Sequence, residues 1–158
     1  MGYTNVLVPY DESEHARNAL REAIKVVNNS PDATITIVEV SAPPQDLVLS
    51  SINKSGFGMG SSLVPKDEFA KVMESRTEEG DEELRKDIAD IVVNFPGTVN
   101  VQLTYGIYTV ETIIDAAKHN GCELIVMGSR GLGAIRGMIG SVSYGVLRES
   151  EVPVLITK

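Results

Sequence analysis

The stretch "NVLVPYDESEHARNALREAIKVVNN", Asn5–Asn29, sets a short apolar run directly before a run of helical period. Asn5–Tyr10 has the unbroken apolar centre of a strand covered on both faces. Beyond it, Ala16, Ala19, Leu20, Ala23, Ile24 and Val27 recur at helical spacing and leave charged residues outward. Asp11 and Glu14 stand at capping-box spacing, with Asp replacing the usual Ser or Thr, and mark the expected helix start. A strand that feeds directly into an amphipathic helix is the unit of an α/β fold.

The rest of the chain repeats that unit. "NNSPDA" breaks the first helix, and "TITIVEV" (Thr34–Val40) is a second strand rich in β-branched residues. A long Pro-, Ser- and Gly-rich region from Ala42 to Lys66 reads as a loop of the kind used for functional lids or mobile segments. A helix of roughly 25–30 residues is expected from Pro65 or Lys66, with Gly80 as a candidate bend. "TVNVQLTYG" (Thr98–Gly106) is a third strand, and "TVETIIDAAKHNG" a helix capped by Thr109 and stopped by Gly121. "CELIVMG" (Cys122–Gly128), "SVSYGVLRES" and "VPVLITK" complete the series as strand, helix and strand.

Strict β-α alternation implies one domain over residues 1–158, a parallel sheet with helices on both faces. Right-handed crossovers make it doubly wound. Ligands of such sheets sit at the carboxyl ends of the strands, where the winding reverses. The candidate positions are therefore Pro9–Asp11, Val40–Ser41, Tyr105–Ile107 and Met127–Gly131.

Composition narrows the function. The 158 residues are 42% hydrophobic and 23% charged, ordinary values for a globular protein. The net charge of −8 argues against a nucleic-acid partner, which a basic face would attract. Much of it is local: from Lys66 to Asp90 ten acids face five bases, the pattern of a solvated helix face. No signal-peptide layout opens the chain, and "NVLVPY" is too short to span a membrane. A single cysteine, Cys122, cannot form an internal disulfide, so a cytoplasmic location is expected.

"MGSRGLGAIRGMIGSVS", Met127–Ser143, holds the glycines that could cradle an anion. It is not a Walker loop: Gly128 and Gly133 have the right spacing, but Ala134 and Ile135 stand where Lys and Ser/Thr belong. It is not a dinucleotide fingerprint either, because Gly131, Gly133 and Gly137 are one residue too far apart. The upstream "GFGMG" (Gly56, Gly58, Gly60) follows no strand directly. Between Gly128 and Leu147 there is no acid, and Gly140-Ser141 opens a helix whose unpaired N–H groups suit phosphate. These residues fit an anion site, and they also fit a Ser-capped turn with no ligand.

The stretch "IVMGSRGLGAIRGMIGSVSYGVLRESEVPVLITK" closely resembles the C-terminal part of the universal stress protein family, and "NVLVPYDESEHARNAL" resembles its first strand and helix. The resemblance implies an open five-stranded parallel sheet of order 3-2-1-4-5. Nucleotide-binding members carry Gly-x2-Gly-x9-Gly-Ser/Thr. Gly128, Gly131 and Gly140-Ser141 match it here, except that eight residues, not nine, separate Gly131 from Gly140.

The resemblance implies a regulatory stress-response protein that binds ATP, ADP or AMP. Carried over, Pro9, Tyr10 and Asp11 lie where the first strand meets the nucleotide, although Tyr10 replaces a usually small residue. Val40 reads the adenine edge through its backbone. Met127, Gly128, Arg130 and Gly131 follow the ribose and phosphates, and Gly140, Ser141 and Val142 hold the phosphates. Asp11 is the candidate carboxylate for a nucleotide-bound Mg²⁺. The resemblance also implies a homodimer paired through the edge strand Val152–Lys158.

No catalytic constellation stands out around His15, His119 or Cys122, so catalysis is expected to be at most weak ATP hydrolysis. Beside the nucleotide-binding regulator stand two other expectations: a partner-interaction module that has lost its nucleotide, and a slow ATPase.

Overall fold

The computed structural model describes residues 2–43, 66–132 and 138–158, with the backbone alone at 66–69. Most of the Ala42–Lys66 loop, including "GFGMG", lies outside the described residues, as do residues 133–137 of the glycine loop with Arg136.

Among the described residues, five strands and four helices alternate: β1 (Asn5–Tyr10), α1 (Glu14–Val26), β2 (Thr34–Ser41), α2 (Lys66–Val92), β3 (Thr98–Tyr105), α3 (Thr109–His119), β4 (Leu124–Gly128), α4 (Ser141–Glu149) and β5 (Val154–Thr157). The sheet is parallel throughout, in the order β3-β2-β1-β4-β5. Val6 is in register with Ile35 on one side and Leu124 on the other.

Strand alternation divides the core into two layers. Val6, Val8, Tyr10, Ile35, Ile37 and Val126 face α1 and α2, where Leu20, Leu84 and Ile88 are buried. Leu7, Val38, Ile125 and Met127 face the other way, onto Ile113 of α3 and Val146 of α4. The long helix runs unbroken through the expected bend: Gly80 lies against Leu103, and Asp81 Oδ1 accepts from Leu103 N at 2.6 Å. That carboxylate covers an N–H of an edge strand, which would otherwise invite pairing.

Helix ends differ in detail from expectation. Ser13, not Asp11, is the N-cap of α1, and its Oγ accepts from Ala16 N at 3.2 Å. Asp11 acts one step back, where Oδ1 accepts from Ser13 Oγ at 2.5 Å and Ser13 N at 3.2 Å. A hydroxyl can both accept from the helix and donate to Asp11; a carboxylate only accepts, so the pair satisfies more groups in this order. Tyr108 is the N-cap of α3, and Thr109 is its first helical residue. Gly121 stops α3 as expected. With φ +61 it closes a Schellman motif in which Cys122 N donates to Ala117 O and Gly121 N to Lys118 O.

Ser13→Ala is expected to cost about 1 kcal/mol by urea unfolding. Glu14→Ala, at the position a capping box would use, is expected to change stability by less than about 0.5 kcal/mol.

Candidate functional site

The order reverses between β1 and β4, and a cleft of about 550 Å³ opens at their carboxyl ends. That volume falls within the roughly 300–1,000 Å³ usual for small-molecule sites. The eleven residues that the family resemblance implies all border it: Pro9, Tyr10, Asp11, Val40, Met127, Gly128, Arg130, Gly131, Gly140, Ser141 and Val142. Of the other strand-end candidates, Ser41, Tyr105–Ile107 and Ser129 do not line it. Val38, Thr109, Ile113 and Ser143 border it as well and were not anticipated. Val38 was legible, because a strand places it on the same face as Val40. Ile113 and Ser143 carry no motif and reach the cleft only through the packing of α3 and α4.

The floor is apolar, formed by Val38, Val40, Ile113, Met127 and Val142, and the glycine turns close one end. Gly140 N donates to Ser129 O at 2.8 Å, Ser143 Oγ to Gly128 O at 2.8 Å, and Arg130 Nε to Met138 O at 3.2 Å. Ser129 N in turn donates to Thr157 O of β5 at 2.7 Å. The two halves of the glycine loop therefore meet, although the stretch joining them is one residue shorter than the family pattern.

Gly140 is the N-cap of α4 and has no side chain to spend on capping, so Ser141 lies inside the helix and does not cap it. The first N–H groups of α4 thus have no partner within their helix and border the cleft. Gly128 allows α1 to come close: a Cβ there would stand 2.7 Å from His15 Cβ and 2.9 Å from its carbonyl carbon. His15 itself does not line the cleft, and His119 lies in a separate, more open groove of about 400 Å³ with Gln102 and Asn120. Those two amides are bonded to each other at 3.3 Å.

Among the described residues, Asp11 is the one acid that lines the cleft. With Oδ1 engaged by Ser13, its Oδ2 lies against Gly131, where a Cβ would come within 2.3 Å. Tyr10 borders the cleft, yet its ring is buried in the α1–α2 layer. Its hydroxyl donates to Asp87 of α2, and burial together with that carboxylate keeps the phenol protonated well above its ordinary range. Burial pushes the Cys122 thiol up to about 11, which leaves little thiolate for nucleophilic chemistry.

Glu39, in register with Tyr10, is a half-buried carboxylate. Desolvation raises its pKa, and the charges of Glu12, Glu83, Asp11 and Asp87 raise it further. No group of three or more His, Cys, Asp or Glu among the described residues is placed to hold a metal.

The model of the universal stress protein family matches residues 2–57 and 59–158. The chain is 29% identical over 162 residues to the universal stress protein Sll1388 of Synechocystis, covering 100% of this chain and 99% of that one. Its fold is similar to the solved structure of the protein MJ0577, with a TM-score of 0.71 at 22% identity over 100% and 97% of the two chains. It is also similar to a universal stress protein solved in complex with cAMP, with a TM-score of 0.62 at 21% identity over 99% and 98%. No described helix is long and apolar enough to cross a membrane.

Because the folded pKa of Glu39 lies above its unfolded value, its charge costs the native state stability once pH rises past the ordinary carboxylate range. Glu39→Gln is expected to raise the thermal midpoint at about pH 7 and to leave it unchanged at about pH 3, where both states carry the proton. Parallel melts across that range check it.

Proposed function

The chain belongs to the universal stress protein family, and from that membership we propose that its cleft binds an adenine nucleotide, ATP, as a regulatory ligand. The supporting observation is the pairing of an uncapped helix start with a glycine turn. Gly140 carries no capping side chain and is bonded to Ser129, next to Arg130 and Gly131. Free N–H groups at the positive end of α4 would take phosphate oxygens, and the Ser141 hydroxyl would add one donor. The Nη groups of Arg130 make no hydrogen bond among the described residues and would add charge. The apolar floor from Val38 to Ile113 suits the base, with the Val40 backbone along its edge. A relative bound to cAMP supports an adenine ligand of this kind.

Asp11 Oδ2 is a single hard oxygen, which fits a Mg²⁺ that keeps most of its waters and takes the rest of its shell from phosphates. Bound, that ion would neutralise phosphate charge next to the carboxylate.

Titration calorimetry with ATP, ADP and AMP tests this reading. Heat and a thermal shift are expected, and absence of both for all three nucleotides at millimolar concentration rejects it. Ser141→Ala is expected to weaken ATP by about 1 kcal/mol, several-fold in affinity. Asp11→Asn is expected to remove most of the Mg²⁺ dependence of ATP affinity.

We also propose that the protein is a cytoplasmic homodimer paired through Val152–Lys158. β5 is an edge strand, and Leu155 on it is exposed. Leu155→Asp is expected to give a monomer by sedimentation velocity, and a wild-type protein that already sediments as a monomer rejects the dimer.

A further inference from the structure

Tyr10 is the last residue of β1 and stands between two residues that line the cleft, Pro9 and Asp11. Alternation along the strand turns its side chain onto α1 and α2, where it is 3% exposed. Its hydroxyl donates to Asp87 Oδ2, 77 positions away on α2. Arg17 of α1 closes the cluster: Nη1 donates to Asp87 O at 2.7 Å and to Asp87 Oδ2 at 3.2 Å, and Nη2 to both Asp90 oxygens at 2.8 Å. Leu84 and Ile88, on either side of Asp87 along α2, are 2% and 1% exposed. One point therefore binds α1, α2 and the end of β1.

A phenylalanine would fill the same space, so the volume of the ring does not account for the hydroxyl. Its hydrogen bond is directional, and it holds the β1 terminus where the backbone turns toward Asp11. Asp11 then places Oδ1 on the α1 cap and Oδ2 against Gly131 of the glycine turn. An unbroken series of contacts thus runs from Asp87 through Tyr10 and Asp11 to the cleft wall.

We propose that Tyr10 is a positioning residue that latches α2 to the nucleotide cleft, so that an occupied cleft and a docked α2 strengthen each other. The nucleotide half of this proposal rests on the ATP reading above; the latch itself does not. Coupling of this kind is reciprocal: whatever α2 docking adds to nucleotide affinity, nucleotide adds to α2 docking. The signal would reach a long, acidic, solvent-facing helix on the side of the sheet opposite α3 and α4.

Amide hydrogen exchange on the full chain, with and without ATP, tests the proposal in wild type, Tyr10→Phe, Asp87→Ala and the double variant. Ile91→Ala, which loosens the same helix and leaves the hydrogen bonds of Tyr10, Asp87 and Arg17 in place, serves as the control. Without nucleotide, Asp87→Ala is expected to speed exchange at Asp11–Ser13 several-fold, while Ile91→Ala leaves those amides at wild-type rates. With ATP, the wild type is expected to gain protection at Leu84–Ile88 as well as around the cleft, and Tyr10→Phe around the cleft alone. ATP affinity is expected to fall about 3–10-fold in Tyr10→Phe, the scale of one net hydrogen bond, and no further in the double variant.

Unchanged Asp11–Ser13 rates in Asp87→Ala, additive losses in the double variant, or α2 protection that persists in Tyr10→Phe would each overturn it. A wild type that binds no ATP rejects the nucleotide reading, and the nucleotide-free exchange then decides the latch by itself.

Discussion

β1 is paired in parallel on both sides, with β2 and with β4, and the geometry of the molecule depends on that constraint. A parallel strand cannot be reached by a hairpin, so each connection must cross a face of the sheet. From β1 the chain winds one way through α1 and α2 to β3. From β4 it winds the other way through α4 to β5. The winding reverses between β1 and β4, and the crevice opens at their carboxyl ends. Pro9 and Met127 are cleft residues because of where their strands end, not because of what they are.

The same alternation separates charge. The chain carries −8, yet among the described residues Asp11 is the only acid that lines the cleft. Glu39, in register with Tyr10, and Asp87, bonded to it, lie on the α2 side of the first strand. One strand divides a half-buried acidic layer from a loop that contains no acid, and Tyr10 reaches across from one to the other. The positive end of α4 and Arg130 both border the cleft.

Legibility followed the range of the forces involved. The strands, the long helix and the Gly121 stop depend on neighbours within a few residues, and they stand close to where pattern and propensity put them. The cap of α1 was misplaced by two positions, because Asp11 and Ser13 are both good capping residues and only the completed turn shows which one accepts from the helix. Gly80 has the look of a bend, but its role comes from Leu103, 23 positions on, which no local pattern contains. The cleft residues of β1, β4 and the glycine turns were legible from strand ends and a family motif. Ile113 and Ser143 were not, since a helix face becomes a wall only when something packs opposite it.

By itself the sequence determined the alternation of strand and helix, the parallel sheet that alternation requires, and the strand ends at which the cleft opens. These rest on period, apolar content and the handedness of crossovers, all local or general to L-amino-acid chains. Tertiary structure decided the rest. It joined the two halves of a shortened glycine loop through Gly140 and Ser129, and it committed the Tyr10 hydroxyl to Asp87. Those contacts join groups 11 and 77 positions apart, and a hydrogen bond between distant groups exists only once the chain has brought them together.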